Sequence, residues 1–131
     1  IGCTPLARIL TLCMTLAAGL TAAAFVTPAH AAELVMVDEK GCIYCEQWNA
    51  EIGPIYPKTA EGRFAPLRKI DIGDIDEAIE LDRRVNFTPT FIVVEDEAEL
   101  ARIEGYPGPD FFWPLLDRML RDVTDYAGED G

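Results

Sequence analysis

Two cysteines, Cys42 and Cys45, sit where a short apolar run gives way to a helical pattern, and that junction constrains the fold more than any other feature of the chain. Glu33-Leu34-Val35-Met36-Val37 reads as a buried strand. Asp38-Glu39-Lys40-Gly41 breaks it. A helix then starts at or near Cys42, because Cys45, Trp48 and Ile52 recur at the spacing of one helical face. Gly53-Pro54 stops or kinks that helix. A cysteine pair at such a junction has a mechanical logic. The first sulfur meets free backbone N–H groups and the positive end of the helix dipole, which favour a thiolate. Thiolate is the form that attacks a disulfide. The second sulfur lies one turn on, close enough to resolve a mixed disulfide.

The rest of the chain supplies further elements. A second short helical piece is expected before Gly62. Ala65 to Ile72 alternates and reads as a strand. Asp74 with Glu77 resembles a capping box, opening a helix with Ile75, Ala78, Ile79 and Leu81 inward. Phe91-Ile92-Val93-Val94 is the strongest strand signal, and Glu95 to Glu97 is a charged turn. Leu100 to Ile103 gives a fourth strand, ended by Gly105-Tyr106-Pro107-Gly108-Pro109. Asp110 is expected to cap a last helix whose apolar face holds Phe111, Phe112, Leu115, Leu116, Met119, Leu120 and Val123. Pro114 is expected near its first turn, where a missing N–H costs least. The order β-α-β-α-β-β-α predicts an α/β fold: a four-stranded mixed sheet flanked by helices on both faces. Helical crossovers predict that the first three strands are parallel, and a tight turn makes the last antiparallel.

The first 31 residues do not read as domain. Ile9 to Val26 is an uncharged stretch of eighteen residues, and Ala29-His30-Ala31 has the small-x-small pattern of an export cleavage site. Residues 1–31 are expected to be a cleaved signal peptide, leaving 32–131 as the domain. An uncleaved membrane anchor is the alternative, since eighteen apolar residues just span a bilayer core. Either way the domain is expected outside the cytoplasm.

Arg8 is the one basic residue in the leader, so the domain holds all 23 carboxylates against the ten remaining Lys and Arg, a formal charge of −13. That argues against nucleic acid and anionic membranes as partners. A solvated acidic surface also keeps an exported protein soluble. A domain this small and acidic is compatible with a monomer. Cys3 and Cys13 leave with the leader, so Cys42 and Cys45 are the domain's own pair. A bridge closing so short a loop constrains the unfolded chain little, so the pair is better placed for redox work than for stability. No metal is expected: a zinc site usually needs four ligands, and the domain has neither a second Cys pair nor a histidine. The missing histidine also excludes a Cys–His hydrolase.

Thr88-Pro89-Thr90 is the second half of the constellation. A proline just before a buried strand donates no ladder hydrogen bond. Next to the cysteine loop it leaves backbone groups free to dock an extended substrate strand, and a cis Thr88–Pro89 bond would turn that edge towards Cys42. An ordinary proline at a strand start is the plainer alternative.

On these residues the chain resembles the thioredoxin superfamily across 33–125: the post-strand Cys42–Cys45 pair, Thr88-Pro89 before the third strand, and Gly105 after the fourth. The resemblance implies a thioredoxin-like fold with Cys42 as nucleophile and Cys45 as resolving thiol. It also implies that Thr88, with Pro89, contacts the substrate backbone. No cofactor is implied beyond the redox-active disulfide itself. Ile43 and Tyr44 are further candidate substrate contacts; the Tyr44 ring either borders the groove or covers the sulfur. Trp48 fits core packing better than recognition.

A narrower resemblance is to the small periplasmic thioredoxins of the SoxS type, which accompany bacterial thiosulfate-oxidation proteins. It rests on Gly41-Cys42-Ile43-Tyr44-Cys45, Trp48, Glu51-Ile52-Gly53-Pro54-Ile55-Tyr56-Pro57 and Glu61-Gly62-Arg63-Phe64-Ala65-Pro66-Leu67. It implies a reductant of protein disulfides or cysteine–sulfur adducts, with a sulfur-carrier protein as partner and an upstream thiol donor at the membrane. The chain also departs from ordinary thioredoxin. Ile43-Tyr44 replaces Gly-Pro between the cysteines, and Gly41 replaces the preceding Trp. Met36 stands where ordinary thioredoxin buries an acid, which leaves Asp38 and Glu39 as the nearest carboxylates. Lys40 either helps hold the thiolate or is simply exposed. Two other functions stay open: a disulfide oxidase or isomerase, and a binding module in which the pair is a static bridge.

Overall fold

The computed structural model describes residues 31–128. The expected leader, 1–31, lies outside them except for Ala31. β1 (Glu33–Asp38) is the inner strand that the apolar run predicts, with Leu34 to Val37 fully buried. α1 (Ile43–Glu51) follows, then a 3-10 turn (Tyr56–Lys58) and α2 (Ala60–Phe64). β2 (Leu67–Asp71), the four-residue α3 (Ile75–Ala78), β3 (Thr90–Glu95), β4 (Ala98–Glu104) and α4 (Pro109–Val123) complete the order. The sheet runs β2-β1-β3-β4, a four-stranded mixed sheet as expected.

Strand direction differs from expectation in one place. β1 and β2 are parallel, Leu34 opposite Leu67 and Asp38 opposite Asp71, but β3 is antiparallel to β1, with Val37 opposite Thr90. The cause is the connection between β2 and β3. It leaves the sheet at the Asp71 end, and α3 carries it to Glu80, which bridges to Ala98 beside the β3–β4 turn. Residues 81–89 then return along β4, so the chain makes two passes and enters β3 from the end it left. That return leg has no periodic pattern in the sequence and reads there as a mere exit from the helix.

A buried ion pair fastens the return leg. Glu99 and Arg102, at 1% and 2% side-chain exposure, meet at 2.5 Å. The Glu99 carboxylate also accepts the Asp82 N–H at 2.9 Å, and Arg102 donates to the carbonyls of Arg83 and Arg84. Nothing in the sequence pattern points to this pair.

The two sheet faces have separate cores. Leu34, Met36, Phe91 and Val93 face α1 and α4, where they meet Cys45, Trp48, Phe112 and Leu116. Val35, Val37, Ile92 and Val94 face Ile75, Ile79 and Val85 on the other side. Alternation along both inner strands sorts the side chains in this way. Trp48 is fully buried, its ring 5.3 Å from Phe91 and 5.8 Å from Phe112, and so belongs to the core.

Helix ends depart from the sequence signals. Asp74 is the N-cap of α3, but its side chain makes no capping bond, and the helix stops at Ala78, leaving Ile79 extended. Gly108, at φ +94°, is the N-cap of α4 in place of Asp110. Left-handed backbone there suits glycine, and the helix begins two residues early, at Pro109. Pro114 therefore falls in the second turn. Phe111 and Leu115, expected on the apolar face, are exposed.

Candidate active site

The cysteine loop is built from backbone upward. The Cys42 N–H donates to the Glu39 carbonyl at 3.1 Å, closing a turn that contains Gly41 at φ +82°. Only glycine adopts that conformation without strain, which accounts for Gly41 at the position before the nucleophile. Cys42 is then the N-cap of α1, and its Sγ accepts the Cys45 N–H at 3.1 Å. A helix N-terminus has unsatisfied N–H donors, so the sulfur at this position is held where a negative charge is stabilised. Cys42 and Cys45 are joined as a disulfide, with Cα atoms 5.2 Å apart. Cys42 is half-buried, whereas Cys45 is 3% exposed and packs in the core with Met36 and Trp48. The two sulfurs are chemically alike but differ in access.

The second loop lies against the first. The Thr88–Pro89 peptide is cis, Pro89 is buried, and the Pro89 carbonyl accepts the Gly105 N–H at 2.8 Å. Among the described residues neither the N–H nor the C=O of Thr88 engages in a backbone hydrogen bond. An extended chain laid beside Thr88 finds both groups available, as in strand addition to a sheet edge. The Thr88 hydroxyl donates to the Glu39 carboxylate at 3.3 Å.

Between these loops lies a groove of about 450 Å³ lined by Tyr44, Phe87, Thr88, Glu104, Gly105 and Tyr106. Tyr44 borders the groove and is 57% exposed; Ile43 is 70% and Phe87 60% exposed. The structure thus brings together Cys42, Cys45, Tyr44, Thr88 and Pro89, with Ile43 displayed beside them. Sequence reasoning missed Phe87, Glu104 and Tyr106. Phe87 had a signal, being a large apolar residue directly before Thr88-Pro89. Glu104 and Tyr106 arrive through the pairing of β4 with β3, which no local pattern reports. The Tyr106 hydroxyl donates to Glu51 at 2.6 Å, tying the loop after β4 to α1. Burial and then that carboxylate push the Tyr106 phenol well above its ordinary value. The same bond, with that from Gln47, holds Glu51 below the usual carboxylate range. Lys40 stands exposed in the turn.

Among the described residues no group of three or more His, Cys, Asp or Glu side chains is placed to hold a metal ion, and no helix is long and apolar enough to cross a membrane. The chemistry on offer is that of a dithiol–disulfide couple with an exposed docking edge beside its accessible sulfur.

The thioredoxin-like domain family matches residues 22–120. Among solved structures, the chain is similar to the periplasmic thioredoxin SoxS of Paracoccus pantotrophus in its reduced form. The two share 46% sequence identity at a TM-score of 0.67, over 71% of this chain and 99% of that one. No curated protein matches the chain.

Proposed function

The chain belongs to the thioredoxin-like family and is a thiol–disulfide oxidoreductase, and from that premise we propose that it is an exported reductant whose electrons pass through Cys42 and Cys45. The observation that carries this reading is the asymmetry of the pair. Cys42 is accessible at a helix N-terminus beside a backbone edge that is unengaged among the described residues, and Cys45 is buried behind it.

In the reduced protein the Cys42 thiolate attacks one sulfur of a substrate disulfide bound along Thr88. A mixed disulfide forms and the other substrate sulfur leaves as a thiolate, which takes up a proton. The Cys45 sulfur, as thiolate, then attacks Cys42 Sγ. The intramolecular disulfide closes and the second substrate thiol is released. Two electrons and two protons have passed to the substrate, and an upstream dithiol donor restores the pair. Tyr44, Ile43 and Phe87 supply apolar contact to the residues flanking the substrate cysteine.

The likeness to a periplasmic SoxS supports export and a place in sulfur oxidation. On this reading the substrate is a disulfide or sulfur adduct on the cysteine of a sulfur-carrier protein, the donor is membrane-bound, and residues 1–31 are removed. Mass spectrometry of the protein from its native compartment should then find a chain starting at Ala32; a retained leader would argue for an anchor. The deciding experiment is the equilibrium reduction potential of the Cys42–Cys45 pair against dithiothreitol or glutathione. A value of about −270 mV supports the reductant, and one of about −120 mV makes the protein an oxidant. A pair that is reduced only on unfolding would leave a static bridge.

A further inference from the structure

Among the described residues the one buried carboxylate is Glu99, which is paired with Arg102, and the core cluster that holds Cys45 is apolar, with Met36, Trp48, Phe91 and Phe112 among its members. Two acids reach the site: Glu104 lines the groove, and Glu39 comes from the loop before Cys42. Glu39 engages both halves of the site at once. Its carbonyl holds the Cys42 N–H at 3.1 Å, and its carboxylate holds the Thr88 hydroxyl at 3.3 Å, across 49 positions of sequence. Among the described residues this is the one side-chain hydrogen bond between the loop that carries Cys42 and the loop that carries Thr88. It uses the Thr88 hydroxyl, so the backbone groups of Thr88 stay available for a docked strand.

We propose that Glu39 is a positioning residue: by clamping Thr88 to the cysteine turn, its carboxylate fixes where a docked substrate disulfide sits relative to Cys42. The proposal rests on the roles of Cys42 and Thr88 given above. Attack on a disulfide needs the incoming sulfur aligned with the bond it breaks, so a drift of the docking edge away from Cys42 lowers the rate. The turn itself is held by the Glu39 backbone, and the Glu39 side chain is exposed. Substitution there leaves the fold intact, so a kinetic change reports the clamp.

The test is a double-mutant cycle on the full domain, read as kcat/KM for reduction of a disulfide-closed peptide with dithiothreitol as donor. Loss of one exposed, long hydrogen bond should lower kcat/KM about fivefold to tenfold in Glu39→Ala. Glu39→Gln, whose amide oxygen accepts the same bond, should recover most of the loss. Thr88→Val should lose a similar factor, and the Glu39→Ala/Thr88→Val double variant should be no worse than either single. Losses that multiply in the double variant, a Gln variant as poor as Ala, or Glu39→Ala with unchanged kcat/KM would each overturn the clamp. A wild-type protein that fails to reduce the peptide at all would instead count against the reductant function.

Discussion

Replacing Arg102 by methionine should destabilise the domain far more than its position on a solvent-facing strand suggests. The Arg102 side chain is 2% exposed and the partner carboxylate of Glu99 is 1% exposed. The substitution removes both guanidinium bonds to Glu99, at 2.5 and 2.7 Å, and the bond to the Arg83 carbonyl at 2.6 Å. Among the described residues Glu99 then keeps the Asp82 N–H alone as a hydrogen-bond donor, at 2.9 Å. Breaking a buried pair so that one charge stays uncompensated costs about 3–5 kcal/mol. A domain of this size has a total stability of about 5–15 kcal/mol, so the loss should appear as a fall in Tm of roughly 15–30 °C. Urea unfolding at pH 7 provides the free energy, with the slope m unchanged. The companion variant Glu99→Leu/Arg102→Met removes both charges and should be more stable than the Arg102→Met single.

The pH dependence adds a second arm. Burial pushes the Glu99 carboxyl up, but the Arg102 hydrogen bonds, the Asp82 N–H and the charges of Arg102 and Arg83 outweigh it and hold the group below its ordinary 4.5. A carboxyl lowered by folding contributes stability above its unfolded value and loses it as the pH falls through the folded one. The wild-type protein should therefore lose stability below about pH 4.5, where the Arg102→Met gap narrows. A single variant costing under about 1 kcal/mol, or a double variant less stable than the single, would refute this account of the pair.

Three further outcomes are expected. In the reduced protein near neutral pH, iodoacetamide should label Cys42 well before Cys45, because Cys45 is 3% exposed; equal labelling would sink the assignment of the nucleophile. Tyr44→Ala and Phe87→Ala should leave unfolding free energies within about 0.5 kcal/mol, since both rings are exposed. Each should still lower kcat/KM for a protein disulfide about fivefold through lost docking contact, and unchanged kinetics would remove these rings from the docking surface. Gly62→Ala should cost about 1–3 kcal/mol or more in urea unfolding. The added Cβ would lie 1.8 Å from the Tyr56 carbonyl oxygen, so backbone must move; a neutral substitution would show that this turn yields freely.

Local pattern accounts for much of the fold and for the heart of the site. The run into β1, the start of α1 at Cys42, the inward face of Cys45, Trp48 and Ile52, and the strand after Thr88-Pro89 are all where the pattern puts them. Helix ends are less legible. Asp74 and Asp110 are good capping residues in isolation, but α3 forms without a side-chain cap and Gly108 begins α4 earlier than Asp110 would. Consequently Pro114 falls in the second turn rather than the first, and Phe111, which the periodic pattern puts on the apolar face, is exposed.

What is local can be read from neighbouring residues: which of them alternate into the sheet, where a helix can begin, and that an accessible cysteine precedes a buried one at that helix start. These follow from side-chain period and from the unsatisfied N–H groups of a helix end, which a few neighbouring residues set. Tertiary structure alone decided the direction of β3, the buried pairing of Glu99 with Arg102, and the meeting of Glu39 with Thr88. Each depends on how a segment without periodicity, residues 81–89, travels back along β4. That path is chosen by the closure of the whole chain around two cores, and no window of neighbouring residues contains it.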